Sequence, residues 1–164
     1  MCSSDLPGEL DFALGSEFYL EKLEAAGVEP IAANLTIAGK KLEAGRIIEV
    51  GDIKLGVVGA VEPKHYEGLE DVATTEPVEA VKKAVAALKK EGATTTLLIM
   101  HGDLAATRAV LNAVDGIDFG VVGHAPRESD EVQQAGGGFT LEAFDQGRYL
   151  GVLKLYERDR KSVV

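Results

Sequence analysis

Residues 94–124 decide the fold, and they read TTTLLIMHGDLAATRAVLNAVDGIDFGVVGH. Residues 94–100 form an apolar run typical of a strand that is buried on both faces. Residues 104–114 have helical spacing, and residues 117–122 form a second apolar run. A strand, a helix and a strand in this order predict a βαβ unit, in which the strands are parallel and the crossover is right-handed.

Two further helices are predicted upstream of this unit. Ser16 is expected to cap a helix over residues 16–26 that Gly27 ends. Thr75 is expected to cap a second helix, which Gly92 ends. Each helix therefore has a polar start signal and a glycine stop, and helices alternate with strands along the chain.

The remaining strands are predicted from short β-rich runs. Residues 31–35 indicate a buried strand, and residues 46–50 and 53–61 indicate a hairpin that turns at residues 51–52. Residues 62–74 have no clear period and are expected to form a loop.

The pattern changes again beyond Pro126. A polar loop is predicted there, followed by an antiparallel hairpin with strands over residues 139–144 and 149–156. The predicted fold is therefore mixed α/β, with β-hairpins at both ends.

The composition is that of a globular domain. Of the 164 residues, 46% are hydrophobic and 27% are charged. The net charge of −10 repels phosphate backbones and anionic lipid, so neither nucleic acid nor a membrane is expected as a partner. The apolar runs are far shorter than the ~20 residues of a transmembrane helix. A single cysteine excludes an internal disulfide framework.

The two ends of the chain differ from the rest. Residues 1–6 and 159–164 fit neither a strand nor a helix pattern, and both resemble in-frame translations of sequencing adapters. We expect these segments to be foreign to the protein, with frayed polar termini as the alternative. Residues 7–158 would then form a partial domain of a longer protein.

Two of the three histidines follow predicted strands directly. His101 follows the strand over residues 94–100, and His124 follows the strand over residues 117–122. Because ligands bind beyond the carboxyl ends of parallel strands, the crossover would place both imidazoles at one sheet edge, in reach of a transition metal. The alternative is that each histidine only hydrogen-bonds the backbone. His65 lies in the predicted loop and is expected to be solvated.

Two other features of these strands have an ordinary structural explanation. Asp103 could bind a metal or orient a histidine, but the role of N-cap for the helix over residues 104–114 is favoured. The glycines at the strands lack the spacing of a phosphate loop and are expected to allow close packing of helices on strands. They are Gly56, Gly59, Gly120 and Gly123.

Taken in order, these landmarks resemble the calcineurin-like metallophosphoesterases, in particular their 5′-nucleotidase branch. The stretches that carry the resemblance are residues 8–15 with 32–35, 53–59, 97–101, 116–124 and 147–151. The resemblance implies two mixed sheets packed face to face with flanking helices, incomplete here at the N-terminus. It also implies an exported, periplasmic protein.

The resemblance also implies a metal site. Members of that family hold two divalent ions, such as Mn, Zn, Fe or Co, which bind the phosphate and activate a water for in-line attack. His101 matches a single metal-binding histidine, and His124 matches the first histidine of a Gly-His-x-His pair. Glu9 aligns with a bridging asparagine, and its carboxylate can also bind metal. Glu9, His101 and His124 are therefore the predicted metal ligands.

Besides Glu9, the sequence departs from the family pattern at three positions. Pro126 stands where the second histidine of the pair belongs. Leu10 stands where the family has the histidine that protonates the leaving oxygen, and Ala13 replaces the aspartate that orients it. We therefore expect an incomplete metal centre, and no residue of this chain is predicted to be catalytic.

Two functions remain open at this point. The chain could be a fragment of a metal-dependent phosphoester hydrolase, weak or inactive in this form, acting on a small phosphorylated molecule such as a nucleotide. Alternatively, it could be a diverged member that has lost catalysis and serves as a binding or scaffold domain.

Overall fold

Helices and strands alternate over residues 72–122 of the computed structural model, which describes residues 6–124, 132–142, 152 and 154. The α helices are α1 (Ser16–Ala26), α2 (Pro77–Lys90) and α3 (Leu104–Ala113), and short 3₁₀ helices span Glu9–Phe12 and Pro63–His65. The strands are β1 (Leu35–Ile37), β2 (Lys40–Lys41), β3 (Gly45–Val50), β4 (Ile53–Val61), β5 (Val72–Thr74), β6 (Thr95–His101), β7 (Phe119–Val122), β8 (Gln133–Ala135) and β9 (Gly138–Glu142). None of the described helices combines the length and the apolar character that crossing a membrane requires.

The larger sheet has the strand order β3-β4-β6-β7-β9-β8. Its inner strands β4, β6, β7 and β9 are parallel, and β3 and β8 pair antiparallel at the two sides. In the predicted βαβ unit, Leu97 of β6 lies opposite Phe119 of β7, and Met100 lies opposite Val122. The parallel pairing is thus confirmed, and it brings the carboxyl ends of β4, β6 and β7 to one edge.

This sheet is covered on both faces. Leu98 and Met100 of β6 join the core under α2 and α3. Ile99 packs on the other face against the smaller sheet, β2-β1-β5, in which Leu35 and Ile37 are buried. The fold is therefore mixed α/β, with two sheets and flanking helices, as predicted. Alternate residues of β6 are only half-buried, so the expectation of full burial on both faces was too strong.

The strand glycines have two different neighbours. A Cβ on Gly120 would lie 2.7 Å from a side-chain atom of α3, and one on Gly56 would lie 3.3 Å from a side-chain atom of α2. Close helix packing is thus confirmed for these two. For Gly59 and Gly123 the expectation of close helix packing is wrong, because a Cβ there would meet backbone instead. At Gly59 the nearest backbone atom is the carbonyl oxygen of Ile31.

The helix ends agree with the prediction better than the helix starts. Gly27 ends α1 with a left-handed φ of 64°. Ser16 does not cap α1, since it lies inside the first turn and is buried. Thr75 does not cap α2 either; Glu76 precedes the helix, and the N–H of Thr75 donates to the carbonyl oxygen of Asn34.

Two predicted segments need correction. The strand expected over residues 31–35 begins later, at β1, and Ile31 makes an isolated bridge to Glu43. Residues 62–74 are not a plain loop, because they contain a 3₁₀ helix and β5, which pairs with β1. The hairpin at residues 51–52 is confirmed as the β3–β4 turn.

The hairpin predicted near the end of the sequence differs from the one observed. Strand β9 pairs antiparallel with β8, which precedes it in the region predicted as a polar loop, and parallel with β7. Of the second predicted strand, residues 149–156, only Val152 and Lys154 lie within the described residues, and Pro126 lies outside them.

Candidate metal centre

His101 and His124 lie at one edge of the larger sheet. His101 is the last residue of β6, and His124 follows the end of β7, the parallel neighbour of β6. The ring centroids are 5.4 Å apart, with the planes nearly perpendicular. The N–H of His124 donates to the carbonyl oxygen of Gly102 at 3.1 Å. The expectation that the two imidazoles meet at this edge is confirmed.

Glu9 reaches the same edge from the start of the described chain. It begins the 3₁₀ helix Glu9–Phe12, in which Phe12 is buried. The hydroxyl of Tyr66 donates to the carbonyl oxygen of Pro7 at 2.5 Å and so anchors the segment just before Glu9. The ring of Phe12 also packs edge-on against Tyr66, with centroids 6.3 Å apart. Contacts distant in sequence therefore position this carboxylate.

Gly8 lets the same segment lie directly on the His101 ring. A Cβ on Gly8 would lie 3.1 Å from Cε1 of His101, so a side chain here would press on the imidazole. Oε2 of Glu9 is in a short hydrogen bond with Nε2 of His101. Oε1 of Glu9 lies 3.5 Å from Nε2 of His124. The carboxylate thus contacts both histidines, although 92 residues separate Glu9 from His101.

A single metal ion fits the donor set of Glu9, His101 and His124. Each residue offers one ligand atom, and the three atoms lie within 4.8 Å of one another. Zinc–nitrogen and zinc–oxygen bonds are about 2.0–2.2 Å long, so the ligand atoms of a tetrahedral site lie about 3.3–3.6 Å apart. Small side-chain movements would let all three atoms bind one ion. The Glu9–His101 hydrogen bond would then be replaced by one metal bond from each of these two residues.

The surroundings of Glu9 favour its ionised form. Burial acts to raise the pKa of the Glu9 carboxyl, but the hydrogen bond with His101 and the nearby charges of His101 and His124 hold that pKa below its ordinary value. Metal ligands must be deprotonated. Glu9 is therefore suited to supply an anionic oxygen donor.

His65 belongs to this site, and the expectation that it is solvated was wrong. Its side chain is only 17% exposed. Its ring stacks on His124, with centroids 4.2 Å apart and planes at 19°. Burial, and then the neighbouring His124, lower the pKa of His65. No local sequence signal marks it, because the contact depends on the pairing of strands: β4 runs parallel to β6, with Val61 opposite His101, so residues after β4 reach the same edge.

Asp103 is a helix N-cap, which confirms the favoured of its two predicted roles. Its Oδ1 accepts the N–H of Ala106 at 2.8 Å in the first turn of α3. Its Oδ2 accepts a hydrogen bond from Nζ of Lys64, also at 2.8 Å. This contact lowers the pKa of Asp103 and raises the pKa of Lys64.

Glu62 connects these groups and was not predicted from the sequence. Its Oε2 accepts the backbone N–H of Asp103 at 3.1 Å and lies 3.3 Å from Nε2 of His65. Its Oε1 lies 2.7 Å from Nζ of Lys64. Gly102 permits the approach, because a Cβ there would lie 2.9 Å from Cβ of Glu62. No local pattern marks Glu62, since Asp103 is 41 residues away in sequence.

Leu10 is exposed beside the site. It follows Glu9 directly and is 78% exposed. The resemblance assigns its position to the histidine that protonates the leaving oxygen, and a leucine side chain has no proton to donate. Ala13, at the end of the same 3₁₀ helix, is also apolar.

A surface groove lies elsewhere in the fold. It has a volume of about 680 Å³ and runs between α1 and β2, where Leu20, Leu23, Lys40 and Lys41 contribute to its lining. None of the predicted metal ligands lines this groove. Among the described residues, the cluster of metal-binding side chains is at the sheet edge instead.

No protein-family model and no curated protein sequence matches this chain. Solved structures do match its fold. Sulfate thiohydrolase SoxB of Thermus thermophilus has a TM-score of 0.73 and 24% identity, over 80% of this chain and 26% of its own. A 5′-nucleotidase precursor, also from Thermus thermophilus, has a TM-score of 0.69 and 18% identity, over 83% of this chain and 32% of its own. The calcineurin-like phosphoesterase YfkN of Bacillus subtilis has a TM-score of 0.59 and 22% identity, over 71% of this chain and 43% of its own.

The fold is therefore that of a phosphoester hydrolase-like protein. More specifically, the chain has a calcineurin-like, 5′-nucleotidase-type fold. It spans less than half the length of each of these solved structures, so it corresponds to one part of them.

Proposed function

We propose that Glu9, His101 and His124 bind one divalent transition-metal ion, and that the chain is part of a metal-dependent phosphoester hydrolase. One observation carries the proposal: a carboxylate and two imidazoles offer ligand atoms within 4.8 Å of one another at the carboxyl edge of parallel strands. Imidazole nitrogen with a carboxylate oxygen suits Mn, Zn, Fe or Co. The fold supports phosphoester chemistry, since a 5′-nucleotidase precursor and a calcineurin-like phosphoesterase share it.

The three residues would divide the work at such a centre. When bound, the ion would polarise a phosphoryl oxygen and lower the pKa of a water. His101, whose side chain is 13% exposed, and Glu9 would anchor the ion from the protein side. The His124 side chain is 41% exposed, so the open side of the site is the side of His124. Ionised Glu9 would offset part of the charge of the ion.

The proposed substrate is a small phosphorylated molecule such as a nucleotide. Likeness to a 5′-nucleotidase precursor supports this class. The net charge of −10 disfavours a polyanion such as nucleic acid, because the average surface would repel it.

The second candidate function is a binding or scaffold domain that has lost turnover. Leu10 and Ala13 favour it, because neither can transfer a proton to a leaving group. Losing a general acid typically lowers the rate about 10²- to 10⁴-fold. The two candidates differ in turnover.

Calorimetric titration of the full 164-residue chain with Zn²⁺ tests the metal site. We expect one ion per chain. His101→Ala and Glu9→Gln should each weaken binding by at least about tenfold, because a direct ligand matters more than an outer partner. Glu17→Gln, an equal charge change on the exposed face of α1, is the matched control and should bind as the unaltered chain does. Two ions per chain, or full affinity in both site variants, would contradict the proposal.

A further inference from the structure

The His124 ring has limited support from its own segment. It follows the end of β7, and its side chain is 41% exposed. The hydrogen bond from its N–H to Gly102 fixes the backbone but leaves rotation about the side-chain torsions. Immobilising such a side chain on binding has an entropic cost, which lowers affinity.

The His65 ring supplies a flat surface against this imidazole. Its centroid lies 4.2 Å from that of His124, with the planes at 19°. His101 meets His124 edge-on at 5.4 Å, with planes at 88°. A face contact and an edge contact together restrict the rotation of the His124 ring and keep its Nε2 towards Glu9.

The His65 side chain is itself largely buried. His65 ends the 3₁₀ helix Pro63–His65, and its side chain is 17% exposed. Nε2 of His65 lies 3.3 Å from Oε2 of Glu62, and it has no hydrogen-bond partner within the part of the chain that the structure describes. Glu62 is fixed in turn by the N–H of Asp103 and by Lys64. Glu62, the charged neighbour of His65, therefore lies outside the metal-ligand cluster.

We propose that His65 is a positioning residue, whose ring stacks on His124 and holds that imidazole in the orientation that ligates the ion. This inference rests on the proposed function, since it requires that His124 binds metal. The role needs an aromatic ring and not a nitrogen atom. Phenylalanine should therefore replace His65, whereas a side chain without a ring should not.

Zn²⁺ titration of the full chain and of three His65 variants tests the role. His65→Leu should weaken zinc binding by about tenfold, and His65→Phe should stay within about threefold of the unaltered chain. His65→Gln keeps a polar nitrogen without a ring and should behave as His65→Leu. Thermal unfolding without zinc reports whether each variant is folded, and having two ringless variants guards against the misfolding of one.

A second readout does not depend on metal. In the metal-free chain, stacking on His65 should shift the ring-proton resonances of His124 upfield in NMR spectra. The shift should persist in His65→Phe and disappear in the ringless variants. Because a general loss of stability would not separate the phenylalanine variant from the others in this way, the pattern identifies the ring contact.

The outcomes separate the two proposals. If the unaltered chain binds no zinc, the proposed function fails, and this inference fails with it. If the unaltered chain binds zinc and both ringless variants bind it equally well, only the positioning role is overturned. The role is also overturned if His65→Phe loses as much affinity as His65→Leu, since the nitrogen and not the ring would then matter.

Discussion

Asn34 joins separate segments of the fold through one buried side-chain amide. Its Nδ2 donates to the carbonyl oxygens of Val61 at 2.8 Å and Thr75 at 2.6 Å. Its Oδ1 accepts the N–H of Val61 at 2.9 Å. The amide thus ties the smaller sheet to the end of β4, immediately before Glu62 and His65.

Asn34→Ala should lower the free energy of unfolding by about 2–4 kcal/mol, because buried backbone groups would lose their partner. Urea unfolding followed by circular dichroism measures the loss. Asn112→Ala, at an exposed position of α3, is the control and should change stability by less than about 0.5 kcal/mol. Equal effects at the two positions would show that the Asn34 hydrogen bonds do not support the fold.

At the level of elements, Asp103 links the start of α3 to the loop after β4. Its Oδ1 caps the helix, and its Oδ2 pairs with Lys64. The side chains of this pair are 36% and 50% exposed, so the ion pair itself contributes little. The cap is the stronger of the two contacts.

Asp103→Ala should therefore destabilise the metal-free chain by about 1 kcal/mol, the usual effect of losing an N-cap. Asp103→Asn keeps a capping oxygen and loses only the charge, so it should remain within about 0.5 kcal/mol of the unaltered chain. Chemical unfolding of both variants without metal distinguishes the contributions. An equal loss in the two variants would assign the stability to the ion pair instead, because both variants lose the charge.

Strand β4 lies against the segment that leads into β1, and Gly59 makes the approach possible. The carbonyl oxygen of Gly59 accepts the N–H of Ala33 at 2.8 Å. A Cβ on Gly59 would collide with the carbonyl oxygen of Ile31, which is backbone and cannot rotate away.

Gly59→Ala should destabilise the chain by about 1–3 kcal/mol through this overlap. Gly137→Ala is the matched control, because a Cβ on Gly137 meets nothing within 4 Å. The control should be neutral or slightly stabilising, since alanine reduces the freedom of the unfolded chain. Thermal unfolding of the two variants side by side is the measurement. A Gly59→Ala variant as stable as Gly137→Ala would mean that the two segments separate easily.

At the level of the whole molecule, the prediction is about the rate at which the chain hydrolyses phosphoesters. The chain spans 26% and 32% of the first two matching structures, and its described site has three side chains that could hold one ion. With Leu10 and Ala13 in place of proton-transferring groups, we expect negligible hydrolysis of AMP or p-nitrophenyl phosphate with Mn²⁺, Zn²⁺ or Co²⁺. The hydrolysis is measured as the phosphate released from each substrate over hours. Turnover that His124→Ala abolishes would favour the hydrolase over the binding domain.

Prediction from sequence worked best where long-range geometry follows from a local pattern. The apolar runs before His101 and His124, with a helix between them, require parallel neighbours. Their carboxyl ends therefore had to meet at one edge. Strand β1 was predicted too early and β5 was missed, because each has three residues and depends on pairing with distant partners, β1 with both β2 and β5.

The amino-acid sequence alone was enough to predict the elements with strong periodicity and the placement of two histidines at strand ends. For Glu9 it needed the family resemblance as well, and for His65 it was not enough. Glu9 meets His101 because Tyr66 anchors its segment, and His65 meets His124 because β4 is parallel to β6. These encounters depend on contacts between residues far apart in the chain, and no spacing rule encodes such contacts until the sheet has assembled.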